Sequence, residues 1–193
     1  MVNDMEDLEI ANCVKVLKSG GTLLYPTDTI WGVGCDATCS EAVSKVYKLK
    51  HRNEDRSFII LLDKEEHLLN YVTEVPPTAY DLIHAMDETP LTIIYPQGMH
   101  LAKNVLGLDG SIAIRLVKND FCVRLIQAFG KPIVSTSANL SGEPSPLQFT
   151  SISSEIISAV DHVALLKDQP LKEMRPSRII KLEMNGMFTV VRE

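Results

Sequence analysis

Two segments far apart in the chain carry the residue types that could do chemistry. They are Tyr25-Pro26-Thr27-Asp28-Thr29-Ile30-Trp31-Gly32-Val33-Gly34 and Ser135-Thr136-Ser137-Ala138-Asn139-Leu140-Ser141-Gly142. Each follows a short apolar run that reads as a strand, Thr22 to Tyr25 and Ile133 to Val134, so each puts hydroxyls and backbone N–H groups at a strand's carboxyl end. In open α/β sheets ligands bind there. Hydroxyls, amides and glycine-permitted backbone suit phosphate and carboxylate oxygens, which take several directed donors. Together these features predict a nucleotide-handling enzyme.

The cations fall at element ends. Lys48, Lys50, His51, Arg52 and Arg56 lie between a helix and the strand that opens at Phe58, and Arg192 closes the last strand. By spacing alone, Lys48, Lys50 and Arg52 fit a helix C-terminus, where each cation contributes ~0.3–1 kcal/mol through the helix dipole. Arg115 interrupts the apolar run Ile112 to Val117 and needs either an interior ion pair or a ligand; both readings stay open on the sequence.

Several familiar devices are missing. Ser137 has no Gly-x-Ser-x-Gly elbow around it, so it reads as a positioning donor and not as a nucleophile. There is no Walker lysine loop and no Gly-x-Gly-x-x-Gly. The five histidines show no metal-ligand spacing, and Cys35 with Cys39 lacks neighbouring ligands, so no protein-bound metal is expected. The four cysteines show no disulfide framework, and Trp31, the one tryptophan, reads as a packing residue.

The elements that must position these residues alternate. Helices are expected over Asp4 to Ser19, from Ser40 as cap to Leu49, after Pro77, over Asn119 to Phe129 and over Ser153 to Val160; Asp63 with Glu66 reads as a capping box for a short helix to Tyr71. Strands are expected at Thr22–Tyr25, Phe58–Leu62, Leu91–Tyr95, Ile112–Leu116, Ile133–Val134, Val163–Leu166, Ile179–Leu182 and Phe188–Val191, with an Asn185-Gly186 hairpin joining the last two. The fold class is α/β (α+β by some schemes), a layered domain with a twisted, mixed, roughly seven-stranded open sheet flanked by helices.

With 193 residues and 45% hydrophobic content, one domain over 1–193 is expected. No apolar run approaches the ~18 residues of a membrane span, and the N-terminus is acidic where a secretory signal is basic, so a cytoplasmic protein without a membrane partner is expected. The net charge of −6 argues against a protein whose main task is coating nucleic acid, so any anion site must be local.

The combination of Tyr25-Pro26-Thr27-Asp28-Thr29, Lys50-x-Arg52, Pro90-Leu91-Thr92, Ser111 to Arg115, Pro132 to Gly142 and Pro176-Ser177 resembles the YrdC family, the threonylcarbamoyl-AMP synthases. The resemblance covers nearly the whole chain in the family's order, and Lys50-x-Arg52 with Ser137-x-Asn139 is its hallmark pairing. It implies that L-threonine, bicarbonate and ATP, with Mg2+ carried by ATP, give L-threonylcarbamoyladenylate and pyrophosphate for the threonylcarbamoyl-adenosine modification of tRNA. By this resemblance Lys50, Arg52, Ser137 and Asn139 are catalytic, and Thr29, Arg115, Ser135 and Ser177 hold threonine. Lys50, Arg52, Arg56, Ser111, Ser137, Asn139, Ser145 and Arg192 take the nucleotide, and Leu140 to Thr150 is a candidate lid. Implied partners are tRNA-modifying proteins that use the adenylate; direct tRNA or double-stranded RNA binding, or a paralogue of the same fold without synthase chemistry, is the alternative. The chain departs from the family pattern at Thr89, Trp31, Arg56-Ser57-Phe58 and Ser177-Arg178, which leaves the roles of Arg56 and Arg178 open.

Overall fold

The computed structural model describes residues 2–53, 57–86, 89–165 and 176–193. Arg56, the end of the strand expected at Leu166 and most of the loop Lys167 to Arg178 lie outside the described residues.

Along the chain the elements are α1 (Val2–Lys18), β1 (Leu23–Tyr25), β2 (Gly32–Gly34), α2 (Ser40–Leu49), β3 (Ile59–Leu62), α3 (Pro77–Ala85), β4 (Leu91–Tyr95), β5 (Ile112–Leu116), α4 (Asp120–Phe129), β6 (Ile133–Ser137), α5 (Ser154–Ala159), β7 (His162–Val163), β8 (Arg178–Leu182) and β9 (Phe188–Arg192). The described strands form one nine-stranded sheet in the order β7-β1-β2-β6-β3-β5-β4-β8-β9. It is mixed, as expected: β3 runs parallel to β5 and β4 to β8, whereas β6 runs antiparallel to β2 and β3.

Strand alternation sorts the core into two layers. Leu24, Val33, Ile60, Ile93, Ile114 and Val134 point to one face, where Val43, Val46 and Tyr47 of α2, Ala79 of α3 and Ile156 of α5 meet them. Leu23, Tyr25, Leu61 and Ile133 point to the other, against Cys13 and Leu17 of α1 and Phe121, Leu125 and Ile126 of α4. The α1–α4 pair covers only part of this second face. Ile59, Ala113, Arg115 and Ser135 share it, because Ile59 pairs with Ala113 and Ser135, and Leu61 pairs with Arg115. That stretch carries a cavity instead of a helix.

The helices expected over Asn119 to Phe129 and Ser153 to Val160 form, and the structure shows what ends them. Asn119 Oδ1 accepts from Cys122 N at 3.0 Å, Ser153 Oγ accepts from Ile156 N at 3.3 Å, and Gly130 ends α4 in the left-handed conformation (φ 77°). β8 and β9 form the antiparallel hairpin around Asn185-Gly186. Other expectations need correction. The first small-polar segment contains a strand, β2, and β6 continues through Ser137, so Ser135 and Ser137 are ladder residues and not loop residues. The expected capping box does not form: Glu65–Asn70 is a 3-10 helix whose N-cap is Lys64, without a side-chain cap. Asp63 bonds His67 Nδ1 at 2.7 Å instead, an i,i+4 partner that takes its carboxylate away from the helix end. Ser40 is the first residue of α2 and Cys39 is its N-cap, with no side-chain bond.

β2 fits between β1 and β6 only because Gly34 lacks a side chain. A Cβ there would sit 2.1 Å from the Val134 carbonyl oxygen and 2.8 Å from Tyr25 Cε1. Val134 lies in β6 and the Tyr25 ring is buried, so neither atom can give way. Gly34→Ala is therefore expected to cost about 3 kcal/mol or more in denaturant unfolding, the upper end of core overpacking. An unchanged urea midpoint would contradict this packing.

Candidate active site

The cavity on the uncovered sheet face measures about 290 Å³. Its floor is apolar, formed by Ile59, Ile94, Ala113 and Ile179, and its walls are polar: Thr27, Thr29, Ser135, Ser137, Ser145 and Ser177 supply hydroxyls. Arg52, Arg115 and Arg192 line it too, and no carboxylate does among the described lining residues. Three guanidiniums in a chain of net charge −6 make this a local anion site. Arg192 lies below the ordinary arginine range through burial and the like charge of Arg115, so an arriving anion relieves repulsion between the two.

Arg115 is 5% exposed. Its Nη2 lies 3.3 Å from Asp28 Oδ1, and its Nη1 donates to Thr29 Oγ1 at 3.1 Å. Thr29 is held in turn by Thr27, whose Oγ1 lies 3.0 Å from Thr29 Oγ1 and accepts from Thr29 N at 3.2 Å. The two readings of Arg115 thus coincide: it has an interior ion pair and it also faces the cavity. Its Nε is buried and has no hydrogen-bond partner among the described residues. On the far wall, Arg192 donates through Nε and Nη2 to Ser177 O at 3.0 and 2.6 Å, and Ser177 Oγ meets Thr92 Oγ1 at 2.7 Å.

The helix end at Lys50 splits the two cations of Lys50-x-Arg52. His51 takes the left-handed conformation (φ 50°), and Arg52 N closes back on Tyr47 O at 3.0 Å. Arg52 turns toward the cavity, donating to Ser57 O at 2.8 Å with its guanidinium 4.7 Å from the Phe58 ring centre. Lys50, 2% exposed, is not among the cavity-lining residues. Its Nζ donates to Ser137 O and to Asn139 O, the latter at 2.6 Å, and its own carbonyl accepts from Ser141 N at 2.9 Å. Lys50 is thus the post behind the Ser137–Asn139 turn. The Asn139 amide folds back onto Leu140 O and Glu143 O at 2.9 and 2.7 Å, while its buried Oδ1 has no partner among the described residues.

Burial, and secondarily the Arg52 charge, push the Lys50 amine down to about 8. Below that pH both folded and unfolded chains carry the proton, and the penalty of burying the ammonium is fully present. Between about 8 and the ordinary lysine value of ~10.4 the unfolded chain holds a proton that the folded chain has released, so this group makes stability rise with pH. A neutral amine still donates to both carbonyls. Chemical denaturation across this window is expected to show a rising contribution that is absent from Lys50→Met; identical pH slopes would contradict it.

Of the residues singled out from sequence, Thr29, Arg52, Arg115, Ser135, Ser137, Ser145, Ser177 and Arg192 come together around one cavity. Lys50 and Asn139 stand directly behind it. Ser111 does not line it: it precedes β5, beside Gly107 and Asp109. Arg178 pairs with Glu193 at 2.5 Å on the surface. Trp31 lines the cavity and is also core, 1% exposed and 5.0 Å from the Phe149 ring centre, which supports the packing role. Sequence reasoning passed over Asp28 as the partner of Arg115, although it lies in the same Pro-Thr-Asp-Thr run as Thr29. All four cysteines are free, and no described helix is long and apolar enough to cross a membrane.

A mixed open sheet with an arginine- and hydroxyl-lined cavity on its uncovered face defines a binder of small anionic molecules. The chain belongs to the Sua5/YciO/YrdC family, whose profile, described as telomere recombination, matches residues 15–193. It is 39% identical over 130 residues to a threonylcarbamoyl-AMP synthase of Hahella chejuensis, covering 67% of this chain and 71% of the relative. It is 32% identical over 179 residues to the protein of that name in Pseudoalteromonas translucida, covering 92% and 94%. Among solved structures, P. abyssi Sua5 complexed with L-threonine superposes with a TM-score of 0.81 at 25% identity, covering 93% of this chain and 52% of that one. The chain thus spans about half the length of the P. abyssi protein.

Proposed function

We propose that this chain is a threonylcarbamoyl-AMP synthase, which converts L-threonine, bicarbonate and ATP to L-threonylcarbamoyladenylate and pyrophosphate. The observation that carries the reading is Arg115, a buried guanidinium that is fixed by Asp28 and Thr29 and lines the cavity. A guanidinium so held suits a carboxylate, which it binds through directed, charge-assisted bonds.

In this reading the threonine carboxylate sits on Arg115 with Thr29 and Ser135 beside it. Its amine takes up the carboxyl carbon of bicarbonate with loss of water, giving a carbamate. A carbamate oxygen then attacks the α-phosphorus of ATP in line; the bond to the bridging oxygen breaks and pyrophosphate leaves. The chain's residues contribute position and charge: Arg52 and Arg192 flank the gathering anions, and Ser137, Ser145 and Ser177 donate to their oxygens. Lys50 sets the turn that carries Ser137, and Asn139 Oδ1 is an acceptor for a hydroxyl or amino group of the nucleotide. Mg2+ arrives as part of the substrate: a wall of hydroxyls and guanidiniums, with no carboxylate among the described lining residues, suits an ion held by triphosphate oxygens and water. The adenylate passes to tRNA-modifying proteins in the cytoplasm.

The test is pyrophosphate release by the purified chain. Release that requires L-threonine and bicarbonate together with MgATP supports the synthase; release indifferent to threonine, or none from folded protein, sinks it.

A further inference from the structure

On the α1–α4 face, apart from the cavity, three side chains of metal-binding type converge: Glu9 and Cys13 of α1 and His162 of β7. None of them lines the cavity. We infer that Glu9, Cys13 and His162 form a zinc-type divalent-metal site that ties the first helix to the β7 strand.

Glu9 and Cys13 are i,i+4 neighbours and so lie on one side of α1. His162 approaches from across the sheet edge, its Nε2 2.8 Å from Glu9 Oε1, and Cys13 Sγ lies 3.9 Å from that same oxygen. One ligand atom from each residue falls within 4.8 Å of the others. A tetrahedral zinc with bonds of ~2.0–2.3 Å holds its ligand atoms roughly 3.3–3.7 Å apart, so side-chain rotation suffices to close the set. One imidazole, one thiolate and one carboxylate make a donor set for zinc and not for magnesium or calcium.

The second observation is the carboxylate itself. Glu9 is 3% exposed. Its Oε1 accepts from His162 and from Leu165 N at 2.9 Å, while Oε2, equally buried, has no partner among the described residues. An orphaned oxygen on a buried carboxylate is costly, and a cation held by that carboxylate offsets its charge. The Leu165 N–H then serves as the outer partner that orients a ligating carboxylate. Cys13 is fully buried and His162 only partly so, which leaves the His162 side for access and for a water in the fourth position. On binding, the Cys13 thiol gives its proton to solvent as the metal–sulfur bond forms, and His162 ligates as neutral imidazole with its proton on Nδ1; no electron moves. No sequence spacing signals the site, because 153 residues separate Glu9 from His162.

The test is cobalt(II) loading of the chelator-stripped full chain, read by absorption and metal analysis. One equivalent of cobalt with a thiolate-to-cobalt charge-transfer band, displaced by zinc, is expected. Cys13→Ser should abolish the band, and His162→Gln should weaken binding about 10- to 100-fold or more. Cys39→Ser, at the one cysteine that is not fully buried, should change neither. Because Cys13 is a core position, circular dichroism accompanies each variant, and the more exposed His162 decides between the outcomes even if Cys13→Ser fails to fold. Folded wild-type protein that takes up no cobalt, a spectrum without the thiolate band, or affinity unchanged in His162→Gln would overturn the proposal and leave a Glu9–His162 ion pair alone.

Discussion

Arg115→Ala is expected to lower kcat/KM for L-threonine by at least about 30-fold, since truncating one side of a buried, hydrogen-bonded charge pair costs about 2–5 kcal/mol. The same change strands Asp28, which is 7% exposed and whose Oδ1 lies 3.3 Å from the guanidinium. Stability should therefore fall as well, by about 3–5 kcal/mol, the cost of an uncompensated buried carboxylate. Adding Asp28→Ala separates the two effects. The double variant should recover part of the lost stability, measured by urea unfolding, and none of the lost threonine-dependent turnover. Arg115→Lys should keep the ion pair yet remain impaired, because an ammonium cannot reach Asp28, Thr29 and a bound carboxylate with one set of fixed donors. Full activity in Arg115→Lys would show that bulk charge, and not directed donation, is what the cavity uses.

Lys50→Met carries the second large expected effect, and through position more than through charge. The variant removes the Nζ donor from Asn139 O and from Ser137 O, the latter keeping its bond from Asn139 N at 2.9 Å. An unsatisfied carbonyl at Asn139 costs about 1–3 kcal/mol, so the turn is expected to relax until water or another donor reaches it. A displacement of ~1 Å in a group that positions a reacting phosphate costs on the order of 100-fold in turnover. The expected result is a fall in kcat of about that size, with threonine binding, set by Arg115 on the other side of β6, changed little. Steady-state kinetics with each substrate varied in turn would separate these; a loss confined to the KM for ATP would instead place the Lys50 ammonium directly on the phosphates.

What could be read from the chain beforehand follows from how local each determinant is. The strands Ile112–Leu116 and Leu91–Tyr95 are short apolar runs between turn signals, and both appear as expected. Asn119 and Ser153 act within a few residues of themselves, and the helices expected from those two positions start beside them. β2 was not, because Gly32-Val33-Gly34 has the composition of a turn. It is a strand only because β1 and β6 flank it and because a side chain at Gly34 would strike Val134 O. Asp63 misled for the opposite reason: its capping-box spacing with Glu66 is local and correct, yet His67 competes for the carboxylate.

The site divides in the same way. Residue type marked Arg115, Thr29, Ser135 and Ser137, and the alternation of β5 and β6 brings them to one face. The direction taken by Lys50 could not be read from Lys50-x-Arg52, since a single left-handed residue, His51, sends the two cations apart. Ser111 shares the face of Arg115 by parity, but it lies before the strand and outside the cavity.

The most direct test of the central claim is mass spectrometry of the product formed from MgATP, L-threonine and carbon-13 bicarbonate, with the Arg115→Ala variant alongside. The account predicts a threonylcarbamoyladenylate that carries the heavy carbon, made by the wild-type chain and not by the variant. An adenylate without the heavy carbon, or equal product from both proteins, would contradict it.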